Sequence, residues 1–316
     1  MNFCLVTTCT SRKRHPPSLC VRELQTGSIT EVAEKWIQCV DLSKMRVEAY
    51  DLYAGRSYRE ATAAARILDA PLWIISAGMG LVSSRNEPIT PYNLTISYGP
   101  DSVIKKISDD TWSPTRWWDL ITSRRGGRTI ANIVNDNKNS ECVLLFALSK
   151  NYAKMVRNDI GRIHEKKIDM VRFFGRGLED IFDDKFKQCI MPYDSKLNGP
   201  NSTYKGAMGD FSQRAMRHYV DLVIENPTTL GVNARNDQDA VADAIRNWTP
   251  PKRIKRPVET NENILSLISI DIENYGGGSG KLLRRLRDHH KIACEQGRFK
   301  NLYKQAVEMH SKKLGK

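Results

Sequence analysis

The sequence predicts an α/β protein, a mostly parallel sheet sandwiched by helices and followed by a basic helical extension. Three observations predict it. Short apolar runs recur at Phe3–Val6, Pro71–Gly78, Cys142–Leu148 and Asp169–Phe174, and each ends on small or polar residues, as strands buried on both faces do. Segments with helical spacing lie between these runs, and strands that alternate with helices build parallel sheets. The third observation is charge: 49 Lys and Arg oppose 36 Asp and Glu, a formal net charge of +13 that attracts polyanions, of which nucleic acid is the commonest.

Taken in order, the first run breaks at Thr7 and Thr8 into a small-polar and then basic loop holding Cys9, Thr10, Ser11, Arg12 and Lys13. Helical spacing follows over Val32–Val40, and an alanine-rich helix over Tyr58–Leu68 begins near Arg56 and Ser57. The second run stops on Ser76, Ala77 and Gly78, and a loop from Met79 to Tyr92 carries Asn86 and Glu87. The third empties into Ser149, Lys150, Asn151 and Tyr152 before a helix expected from about Ala153, and the fourth stops at Gly175-Arg176-Gly177. In such sheets ligands sit beyond the carboxyl ends of the strands, where these loops fall. The pattern dissolves over Asp194–Gly209, after which Asp210 reads as the N-cap of a helix through Val223.

Residues 1–225 are therefore expected to form one catalytic domain, with residues 226–316 a linker and a basic helical DNA-binding extension packed on it. Asn226–Asp237 reads as irregular, and the prolines of Trp248–Pro257 oppose both helix and strand and predict an exposed linker. Gly276–Gly280 is expected to be a flexible hinge, and Lys281–Leu314 one or two basic helices. The hinge is not a phosphate loop, because Tyr275 and Leu282 stand where GxxxxGK[ST] requires Gly and Ser or Thr.

Seven scattered cysteines without a CxxC pair argue against a disulfide framework or a zinc site, and no metal or cofactor is expected. The apolar opening is too short for a signal peptide and no stretch reaches the length of a membrane span, so a cytoplasmic protein without a membrane partner is expected.

Excising a base requires a carboxylate for the oxocarbenium-like sugar, an aromatic stacker and an amide reader. Glu87, Tyr92 and Asn93 supply these three types within one loop, with Asp51 and Asp210 as alternative catalytic carboxylates. Cys9, Ser11, Tyr53, Gly78 and Asn86 are the other candidates for a base pocket, and Lys13, Arg56, Lys150 and Arg214 for contacts to DNA. In the extension, an amphipathic helix after the glycine run offers Arg284, Arg285, Arg287 and Lys291 to phosphates. Each has a plainer reading, Glu87 as a surface carboxylate and the basic helix as a packed helix with a solvated back. Cys9 beside Lys13 invites a thiol nucleophile, but nothing in the sequence places a histidine base next to it.

Four stretches, Cys9–Lys13, Tyr50–Tyr58, Ser76–Leu81 and Ile89–Thr95, resemble a bacterial and phage family. Its members carry a cysteine-serine-lysine loop, an LY-plus-arginine segment and an SAkxGL…IxPY[DN]xT signature. That family is similar to the uracil-DNA-glycosylase-like domain of archaeosine synthase, and basic members of this size resemble antiphage DNA glycosylases that inhibit bacteriophage replication. Over residues 3–220 the resemblance implies a uracil-DNA-glycosylase-like fold. It also implies base flipping on double-stranded DNA and excision of a modified base, such as α-glucosyl-hydroxymethylcytosine of phage DNA, to leave an abasic site in antiviral defence. The chain departs from uracil-DNA glycosylases where they place an acid after the first strand and a histidine in a late loop; it has Cys9, Ser11 and Lys13, then Ser149–Tyr152. The catalytic carboxylate therefore does not transfer by motif. A deazaguanine-type base-modifying enzyme and a non-catalytic DNA-binding module are the alternatives; a nuclease lacks a compact Asp/Glu group suited to magnesium.

Overall fold

The computed structural model describes residues 2–108, 110–124, 127–136, 142–252 and 255–314. They form two compact units, Met1–Pro251 and Lys252–Lys316.

The first unit is a mixed α/β fold around a five-stranded sheet. Its strands are β1 (Asn2–Thr8), β2 (Leu72–Ser76), β3 (Gly80–Ser83), β4 (Cys142–Ala147) and β5 (Val171–Phe174). They lie in the order β3-β2-β1-β4-β5, and all but β3 run parallel. The sheet is flanked by α1 (Ile29–Leu42), α2 (Arg56–Ile67), α3 (Pro114–Arg124), α4 (Ile130–Asn135), α5 (Lys150–Gly161), α6 (Phe211–Glu225) and α7 (Ala234–Ala244). Contacts of α1 with α3 and of α3 with α5 form one helical row, and α2 against α6 forms another. Val6, Leu144, Leu145, Phe146, Val171 and Phe173 are buried in the sheet, which is why these strands read as unbroken apolar runs.

Local chemistry fixes the ends of the helices. Ser28 and Glu31 close a capping box on α1, Thr129 caps α4 and Asn233 caps α7. Asp159 of α5 holds the start of α4, accepting the Ile130 and Ala131 amides at 2.8 and 3.0 Å as well as the Trp118 indole at 2.9 Å. Beneath β5 the buried Arg172 meets Asp237 of α7 at 2.5 Å, and Asp237 also accepts Tyr219 Oη at 2.6 Å.

Several expectations move. The region expected as loop from Met79 to Tyr92 contains β3, because Gly80–Ser83 pairs antiparallel along β2. The helix after β4 starts at Lys150 rather than Ala153. The boundary expected after residue 225 falls after Pro251, because Leu230, Ala234, Val241 and Ile245 are buried in the core of the first unit. Of the expected linker, Trp248 packs on the first unit, its ring 5.0 Å from that of His218, whereas residues 249–252, Lys255 and Pro257 are exposed as expected. Arg253 and Ile254 of that linker lie outside the described residues.

The second unit contains α8 (Asn261–Tyr275), α9 (Ser279–Asp288) and α10 (Gln296–Leu314). They share a core of their own made by Ile264, Ile268, Leu282, Leu286, Phe299 and Leu302. The expected hinge is a tight turn: Gly276 ends α8 at φ 53°, a left-handed conformation that favours glycine, and Gly278 caps α9. This unit carries 15 Lys and Arg against 7 Asp and Glu, so a fifth of the chain holds +8 of the net charge. Among the described residues no helix is long and apolar enough to cross a membrane.

Candidate functional site

The order of the sheet reverses at β1, which has β2 on one side and β4 on the other, and the loops leaving the carboxyl ends of β1 and β4 consequently diverge. A cavity of about 1110 Å³ opens there. Its lining includes Thr8–Ser11 after β1, Ser149, Lys150 and Tyr152 after β4, Gly175–Gly177 after β5, and the start of α6 from Phe211 to Gln213. Met191, Tyr193 and Asp194 close a further side. Gly175 is required because a Cβ there would stand 2.2 Å from the Leu148 carbonyl oxygen.

Two helices, α5 and α6, begin at this cavity, and neither N-cap side chain, Ser149 nor Asp210, bonds to a first-turn amide. Their positive ends therefore face the same space. Lys150, Arg176 and Lys187 add positive charge, and Arg176 has no carboxylate partner among the described residues. On the floor, Cys9 Sγ and Tyr152 Oη lie 2.9 Å apart, Ser212 Oγ donates to the Leu148 carbonyl at 2.7 Å, and Tyr193 Oη meets His218 Nδ1 at 2.7 Å. Burial pushes the His218 imidazolium down to about 4, so the ring is neutral at physiological pH. Glu179 and Asp194 are the carboxylates of the lining, and one oxygen of Asp194 accepts the Lys196 amide at 2.8 Å.

Of the residues singled out in the sequence, Cys9, Ser11 and Lys150 line the cavity. Asp210 and Arg56 stand beside it, 3.9 Å apart. Glu87 is elsewhere: it accepts the Ser83 amide at 2.7 Å and pairs with Arg128 at 2.6 Å. Because Ser83 pairs with Trp73, this is the amino end of β2, and the structure does not bring Glu87 to the cavity. Asn86 occupies the same exposed turn, with φ 58°. Asp51 is also outside the cavity, 58% exposed and 3.9 Å from Arg14.

Tyr92 and Tyr53 are fully buried, and Ser76 Oγ, Tyr92 Oη and Tyr53 Oη bond to one another beneath the carboxyl end of β2. Neither ring is open to a base. Lys13 lies over Tyr92 with Nζ 4.5 Å from the ring centre, and loss of hydration lowers its pKa. Gly78 packs where a Cβ would stand 2.8 Å from Tyr92, and its carbonyl accepts the Trp36 indole at 2.7 Å. Asn93 pairs through its backbone with Cys20. Arg214, expected at DNA, has no exposed surface: it donates to Asp210 at 2.6 Å, to Asn198 at 2.9 Å and to the Ala207 carbonyl at 2.6 Å, holding the loop over residues 198–210 in shape.

In the second unit, Arg285 pairs with Asp271 at 2.7 Å and covers the Tyr275 ring at 3.6 Å, and Arg287 donates to the Cys294 carbonyl at 2.7 Å. Arg284 and Lys291 are exposed. The sequence reading missed Arg176, Tyr193, Asp194 and Phe211; only the glycine pair around Arg176 signalled a functional turn. Comparison with family models, with curated proteins and with solved structures found no match for this chain.

Proposed function

We propose that the chain is a DNA glycosylase that draws a modified base into the cavity beyond β1 and β4 and hydrolyses its N-glycosidic bond, leaving an abasic site. The observation that carries this reading is the union, in one cavity, of two uncapped helix N-termini with an aromatic and amide-bearing floor. The former suit phosphates and the latter suits a heterocyclic ring. At about 1110 Å³ the cavity lies just above the usual range for small-molecule pockets, room for a base that carries a sugar such as α-glucosyl-hydroxymethylcytosine of phage DNA. The uracil-DNA-glycosylase-like resemblance read in the sequence supports the same class and an antiphage role in the cytoplasm. Asp194, with one oxygen fixed and the other open, takes the catalytic role expected of Glu87: it stabilises the oxocarbenium-like sugar and orients water. Arg284 and Lys291 of the basic second unit add phosphate contacts with double-stranded DNA.

The test is incubation of the full chain with duplexes carrying glucosylated hydroxymethylcytosine, hydroxymethylcytosine or cytosine, followed by alkali. Strand breaks confined to the glucosylated duplex, with EDTA present, are the expected result; no breaks in any duplex would refute the reading. The Cys9 thiol on the cavity floor favours a second reading, a deazaguanine-type base-modifying enzyme, in which the base changes mass and no alkali-labile site forms.

A further inference from the structure

Gln213 lies in the first turn of α6, lines the cavity and is only 3% exposed. Its Nε2 donates to Thr7 Oγ1 at 3.1 Å. The Oε1 accepts no hydrogen bond from the described residues and is not among the sealed, unpartnered polar atoms of the interior, so it opens on the cavity. Most neighbouring polar groups are already engaged: Ser212 with the Leu148 carbonyl, Cys9 with Tyr152, Tyr193 with His218, and Thr10 with the Arg12 and Ala54 carbonyls.

Resting on the nucleic-acid reading of the cavity, we infer that Gln213 selects the base, its Oε1 accepting from an exocyclic amino group. A buried acceptor left without a partner costs about 1–3 kcal/mol, so a ligand that supplies the missing donor is favoured over one that does not. The cytosine edge presents an exocyclic amino donor, the complement of the Gln213 acceptor. A uracil edge replaces that amino group with a carbonyl, which sets oxygen against oxygen at Gln213.

The experiment is equilibrium binding of dCMP, dUMP and deoxyribose 5-phosphate to the full chain, the wild type beside Gln213→Leu and Gln213→Glu. The wild type should bind dCMP at least tenfold more tightly than dUMP. Gln213→Leu should lose that preference and bind deoxyribose 5-phosphate unchanged, whereas Gln213→Glu, which keeps an acceptor oxygen, should retain it. Equal wild-type binding of dCMP and dUMP overturns the inference and needs no variant to fold; so does a preference that survives in Gln213→Leu. In both cases the nucleotide reading of the cavity stands. If none of the three probes binds, the inference falls together with the reading beneath it.

Discussion

Two polar loops of this molecule both read as base-pocket candidates in sequence and differ completely in space. The loop after β1, from Cys9 to Ser11, opens on the cavity, whereas the segment from Ser84 to Asn93 is spent on structure. The cause is chain direction. β3 runs antiparallel, so the chain that follows it begins at the amino end of the sheet, where Glu87 meets Arg128, and returns to the carboxyl end only at Tyr92. A carboxylate and an aromatic five residues apart thus stand at opposite ends of β2. In a doubly wound sheet, function follows the strand end at which a loop sits more closely than the residue types it carries.

The largest expected effect concerns the scaffold beneath both loops. Arg172 and Asp237 are wholly buried, and Asp237 also accepts Tyr219 Oη and the Gly231 amide. Removing one charge strands the other, so Arg172→Met should cost about 4 kcal/mol in urea unfolding. A loss below about 1 kcal/mol would show that the pair is not sealed as described.

The carboxyl-end cluster has a pH signature of its own. His218 has its pKa depressed to about 4 by burial, against about 6.5 for an unfolded imidazole. Between these values the unfolded chain binds a proton that the native chain refuses. Stability from this group is complete above pH 6.5 and is lost as pH falls towards 4, in total about 3 kcal/mol. In His218→Gln the slope of unfolding free energy against pH should flatten across that window relative to the wild type; identical slopes would place His218 in water.

Legibility in the sequence followed periodicity. β1, β2, β4 and β5 were readable because strands buried on both faces leave unbroken apolar runs, and α6 because Asp210 precedes a helical pattern. The walls of the site were not. Asp194–Gly209 follows no helix or strand period, so nothing marked Tyr193 and Asp194 as cavity residues. Arg214 reads like any surface cation, although its i,i+4 spacing from Asp210 was a signal for the ion pair it makes. Tyr92 offered the right chemistry, but its burial depends on Trp36, Tyr53 and Ser76, distant in sequence.

Chemistry should separate the two strand ends. Asp194→Asn removes a negative charge from the cavity wall and should slow single-turnover base release about a hundredfold, close to 3 kcal/mol of transition-state stabilisation, with DNA binding retained. Undiminished release by this variant would pass the catalytic role to Glu179, the other carboxylate of the lining.

The smallest effect is the sharpest test of the comparison. Glu87→Gln leaves an oxygen to accept the Ser83 amide and removes only the charge that Arg128 pairs with. That pair is partly solvated, its side chains 25% and 45% exposed, so its loss should cost about 0.5 kcal/mol. Base release by Glu87→Gln should stay within about twofold of wild type, since a charge at the amino end of β2 is remote from chemistry beyond the carboxyl ends. A drop of about a hundredfold, with the unfolding midpoint unchanged, would return the catalytic role to this loop. It would also require the active site to lie at the opposite end of the sheet from the cavity, against the rule that parallel strands deliver ligands at their carboxyl ends.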